Sequence, residues 1–149
     1  MPLLWVRSPP SKYAKYQMSW NELCTLMDSY GITKQVKDAF LPDFDVFYTD
    51  ANSWVTIMPW VQIVSGAYKP TKFDCDDFAR KCVADTAFYF GLNGCVNLWG
   101  RTPLGQHAFV GLPISKQELL ICEPNKGFNF SGKLFKPTEN GYFPTSWKP

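Results

Sequence analysis

Residues 73–79 read FDCDDFA, which sets Cys75 among Asp74, Asp76 and Asp77. A thiol can serve as a nucleophile, and carboxylates can cap a helix, hold a hard cation or select a basic substrate. Carboxylates beside a thiol also oppose its ionisation, so the pairing poses a chemical question. The chain has one histidine, His107, opening the run HAFVGL, and an acid and an amide, Glu123 and Asn125, follow in ELLICEPN. Cysteine, then histidine, then acid or amide is the order of nucleophile, base and orienting group.

Two local elements must position these groups. KPT before the stretch is extended by its proline, and Asp74 is a natural N-cap, making Cys75 N1, Asp76 N2 and Asp77 N3. Phe78, Cys82, Val83 and Ala87 recur at steps of three and four, and Gly91 ends the helix. At that start the helix dipole favours a thiolate, and the free amides can bind an oxyanion. HAFVGL and ELLICE flank PISKQ as a hairpin. A loop centred on Ser115 sets His107 opposite Glu123, close enough for the carboxylate to fix the imidazole tautomer. A register shifted by two sets His107 opposite Asn125, whose amide can do the same work. Gln106, Gln62 and Asn93 are candidate oxyanion donors beside the Cys75 amide.

The aspartates have three readings: capping, a calcium site that includes Asp76 and Asp77, and selection of an amine-bearing substrate. An EF-hand is excluded, since counting from Asp74 puts Ala79 at position six and Asp85 at position twelve. The chemistry itself requires no cofactor. Cys24, Cys82, Cys95 and Cys122 read as core or structural residues, and a zinc module using Cys75 and His107 lacks the usual ligand spacing.

The 149 residues suit a single domain spanning 1–149, with 1–18 as an extended arm. Apolar residues at 46% and charged residues at 19% describe a globular chain. A net charge of +2 gives no basic stripe, so nucleic acid is not expected as a partner. No apolar run reaches membrane-spanning length, and five cysteines without a recognisable signal predict free thiols in the cytoplasm. SWNELCTLMDSYG carries a capping box from Ser19 to Glu22 and reads as a helix. KQVKDAFL reads as a second, DVFYTD as a strand, and SWVTIMPWVQIVSG as a helix capped by Ser53 despite Pro59. CVNLW is a strand, and GKLFKPTENGYFPTSW a terminal ribbon turning at Asn140-Gly141.

YKPTKFDCDDFA, GQHAFVGL and LLICEPNKGF together resemble the papain-like, transglutaminase-like cysteine protease superfamily. The branch they are most similar to occurs in phage proteins and in the protease domain of a mushroom agglutinin. The resemblance implies an α+β papain-like domain with a central helix packed on an antiparallel sheet. It implies a cysteine peptidase, a thiol hydrolase whose catalytic triad is Cys75, His107 and Glu123, cleaving a protein or peptide through an acyl-thioester. A peptidoglycan amidase with the same triad, and an inert phage or host-interaction protein on the same fold, are the alternatives. It further implies calcium dependence and a phage-encoded origin, acting in the host cell or carried in the virion.

Overall fold

The computed structural model describes residues 8–35 and 45–149. Strand β1 (Tyr16–Ser19) leads into helix α1 (Trp20–Ser29), and β2 (Thr33–Lys34) follows. After β3 (Asp45–Tyr48) come helices α2 (Ala51–Val61) and α3 (Cys75–Phe90). Strands β4 (Val96–Thr102), β5 (Gly105–Pro113), β6 (Leu119–Cys122) and β7 (Phe143–Lys148) complete the order.

Ser19 and Glu22 form the capping box expected for α1: the Ser19 side chain accepts from the Glu22 amide at 3.1 Å, and Glu22 Oε2 accepts from the Ser19 amide at 2.8 Å. Asp50, not Ser53, caps α2, accepting from the Ser53 amide at 2.8 Å. Pro59 lies inside α2, near its end. Having no amide hydrogen, it cannot donate to the carbonyl of Val55, an exposed residue. The helix expected over KQVKDAFL falls mostly outside the described residues. Of the stretch 1–18 expected as an arm, residues 1–7 also lie outside them, and Tyr16–Met18 pair with β3.

Five strands form one sheet in the order β2-β7-β4-β5-β6, and β1 and β3 form a separate two-stranded sheet. The antiparallel sheet expected from the sequence is corrected to a mixed one, because β2 runs parallel to β7. The terminal ribbon is corrected too. Asn140 and Gly141 do turn the chain with φ of 55° and 78°, but β7 then pairs with β4. A bulge between Trp99 and Gly100 lets these two strands meet closely. A Cβ on Gly100 would lie 2.1 Å from the Phe143 carbonyl oxygen, so only glycine fits.

Side chains alternate across β5. Phe109 faces a core shared with Leu23, Leu26 and Met27 of α1, while Ala108, Val110 and Leu112 face Trp54, Ile57, Ala79 and Cys82 of α2 and α3. Helices thus cover both faces, which explains why β5 is buried from His107 to Pro113. Helix α3 lies against β5 and β4, bringing its first turn to the end of β5 where His107 sits.

A candidate site at the sheet end

Helix α3 starts as the sequence predicts, at Cys75, with Asp74 and Asp77 in a capping box and Gly91 closing it in the left-handed region. The box is loose, with the Asp74 amide 3.4 Å from Asp77 Oδ2, and Asp74 Oδ1 is buried without a partner. Arg80 donates to Asp76 at 2.7 Å and to Asp77 at 3.1 Å. The three acids bring carboxylate oxygens within 4.8 Å of one another. Contact with Asp76 raises the Asp74 carboxyl above the usual range, and the same contact, helped by Arg80, lowers Asp76.

Cys75 is half-buried, and burial is the main cause that pushes its thiol up. A hydrogen bond from the Ala108 backbone works the other way, and the charges of Asp74 and Asp76 push it further up. Burial and the neighbouring carboxylates thus both act against ionisation of the thiol at the helix start.

On β5 and β6, Val110 opposes Cys122 and Gly111 opposes Ile121. This is the register shifted by two from the one that sets His107 opposite Glu123. The imidazole still reaches Glu123 diagonally, since both side chains lie on the Phe109 face: Nε2 donates to Oε2 at 2.9 Å. That tautomer leaves a lone pair on Nδ1. Asn125 does not orient the ring. Its backbone N–H donates to Glu123 Oε1 at 3.0 Å, and its side-chain Oδ1 accepts from the Gly127 backbone N–H at 2.9 Å, closing a turn.

Two groups missed at the sequence level, and Gln62 in a different role from the oxyanion donor expected of it, complete this arrangement. The Tyr142 hydroxyl donates to Glu123 Oε2 at 2.9 Å, and Phe128 stacks on His107 with centroids 5.1 Å apart. Gln62 donates to the Glu123 carbonyl at 2.7 Å, holding the end of α2 to the strand end. Burial, then the Glu123 charge, pushes the Tyr142 phenol well up, so it stays a donor. Tyr142 follows the Asn140-Gly141 turn, and no periodicity in the sequence marks it. Glu123 is 0% exposed and His107 8%.

Ser65, Tyr68, Cys75, Gln106, His107, Asn125 and Phe128 line a cleft of about 540 Å³ beside this network. Gly127 lets the 125–128 turn close on Ser65, where a Cβ would sit 2.2 Å from the hydroxyl. The cleft unites Cys75, His107, Gln106 and Asn125, with Glu123 buried behind. It does not include Asp76, which lines a small hollow with Gln35 and Asn97, or Asp77. Nor does it include Gln62 or Asn93, and Asn93 bonds Phe47 and Asp45 instead. Among the described residues, no hydrogen bond joins Cys75 to His107, whose ring bonds Glu123.

No family model matches the chain, and no curated protein matches it by sequence. Among solved structures it is similar to a PSL1a–E64 complex of the Polyporus squamosus lectin, with 18% identity and a TM-score of 0.62 over 88% of this chain. It is also similar to Polyporus squamosus lectin bound to the human-type influenza-binding epitope Neu5Acα2-6Galβ1-4GlcNAc, with 19% identity and a TM-score of 0.51 over 78% of this chain. The matches cover 50% and 46% of those chains, so this chain spans about half their length.

These findings correct the expectations drawn from the resemblance. The papain-like family and fold class are unsupported by any family model, and the structures sharing this fold are of a lectin. The readings as a cysteine peptidase, a peptidoglycan amidase and an inert phage protein are withdrawn with it, as are the protein, peptide and peptidoglycan substrates. No helix among the described residues is long and apolar enough to cross a membrane.

Proposed function

We propose that this protein binds carbohydrate, and that the cleft at the end of β5 receives it. The observation that carries this reading is the lining of the cleft. Tyr68, 47% exposed, and Phe128 offer aromatic rings, while Ser65, Gln106 and Asn125 offer hydroxyl and amide groups. A sugar presents apolar C–H faces and a rim of hydroxyls, so a few aromatic surfaces and well-placed polar groups suit it. Cys75 supplies its thiol on one wall. His107, bonded through Nε2 to Glu123, which Tyr142 holds in turn, adds an imidazole to the lining. Support also comes from the fold shared with about half of a lectin chain, one structure of which holds a sialylated epitope.

The test is calorimetric titration with a glycan panel that includes Neu5Acα2-6Galβ1-4GlcNAc. Binding is expected for at least one glycan, with affinity lowered about tenfold or more by Gln106→Ala and by Phe128→Ala. Gln106 is exposed, so that variant tests the cleft without disturbing the core. Absence of binding across the panel by the folded protein overturns the reading. We also propose a reducing, cytoplasmic setting, supported by Cys82, Cys95 and Cys122, which are buried thiols outside any disulfide.

A further inference from the structure

A second hollow adjoins the cleft. It has a volume of about 260 Å³ and is lined by Pro103, Leu104, Phe128, Asn129, Phe130 and Tyr142, with Gly127 at its edge. Leu104 and Phe128 line both spaces, so the two share a wall. Leu104 sits at the tip of the β4–β5 hairpin and is 74% exposed. The Thr102 hydroxyl fixes that tip, accepting from the Leu104 amide at 3.2 Å and donating to the Gly105 carbonyl at 3.0 Å. The shared wall is therefore held in place from below.

We propose that the cleft and this hollow are two adjoining subsites of one groove, and that the groove takes a linear oligosaccharide running past Leu104 and Phe128. This rests on the carbohydrate reading and deepens it by fixing the length and chemistry of the ligand. The hollow is mostly apolar and aromatic, with Asn129 as its exposed polar group. An N-acetylated ring matches that lining: its methyl group packs on the partly exposed Phe130 ring, and its amide pairs with Asn129. A single ring in the first cleft leaves Phe130 and Asn129 uncovered. A longer chain covers them and the exposed Leu104 together.

Calorimetry with Galβ1-4GlcNAc and with its tetrasaccharide repeat tests the proposal on the full chain. The tetrasaccharide is expected to bind about tenfold tighter or better than the disaccharide. Asn129→Ala and Pro103→Ala, both at exposed positions outside the first cleft, are expected to remove that gain and leave disaccharide binding unchanged. Equal affinity for the two lengths overturns the second subsite, as does a variant that weakens both ligands equally, and in either case carbohydrate binding stands. Failure of both sugars and of the wider panel to bind overturns the parent reading, and the groove with it.

Discussion

Two polar clusters flank the cleft, and they are built on opposite plans. The Glu123 carboxylate lies fully buried, yet His107, Tyr142 and the Asn125 amide all donate to it. The Asp74–Asp77 turn is only half-buried, yet one of its oxygens has no partner and its acids crowd each other. A fully buried carboxylate needs its bonds complete, whereas the Asp74–Asp77 turn carries one buried, unpaired oxygen beside two acids that Arg80 bonds and solvent reaches. The first cluster therefore behaves as a rigid part of the core. The second behaves as a helix start under mild electrostatic tension.

The sharpest way to break the contrast is Glu123→Ala. It strands three donors in a buried space and is expected to cost about 3–5 kcal/mol in urea denaturation. A loss under about 1 kcal/mol would show that the network does not hold the strand end. Tyr142→Phe removes a single donor, and the expected cost is about 1–2 kcal/mol by the same measurement.

On the other side of the cleft the effects are smaller. Asp74→Ala removes the cap and should lower the Tm by about 2–4 °C, whereas Asp74→Asn keeps a capping oxygen and should leave it nearly unchanged. The two variants should also differ from the parent in pH dependence. Asp74 has a raised folded-state pKa, so its stabilising contribution is present below the usual aspartate value and fades as pH rises through the raised one. Asp76 is lowered and has the opposite slope, losing its contribution as pH falls. Removing Asp74 should thus flatten the decline with rising pH just above the usual aspartate range, measurable by thermal melts across pH. Last, Cys75 should react with iodoacetamide more slowly than an unperturbed cysteine near neutral pH, and its rate should climb about tenfold per pH unit until the raised pKa is reached. Fast reaction at neutral pH would reverse the account of the helix start.

Much of the second cluster was legible in the sequence. A cap, three acids and a terminal glycine are local signals, and α3 runs where they place it. The first cluster was legible only in part. Odd-numbered His107 and Glu123 share a face of the sheet in either register, so their meeting survived a hairpin register that is shifted by two. Tyr142 could not be foreseen, because it reaches Glu123 from a separate loop 19 residues away. Capping of α2 by Asp50 instead of Ser53 turned on which oxygen met the first free amide, a choice between two good candidates three residues apart. The family inference failed for a different reason. Short motifs described the local order of residues, and local order alone does not decide what a cleft binds.

The placement of β7 has a consequence for how the chain acquires its shape. This strand lies between β2 and β4, and Gln35 beside β2 touches Ser146 in β7 across 111 residues of sequence. During synthesis β2 emerges well before β7, its neighbour in the sheet among the described residues. Closing so long a loop costs entropy before any contact rewards it, which slows folding. Until then one edge of β4 is open to strands from other chains, so crowded nascent chains are most exposed to mispairing there.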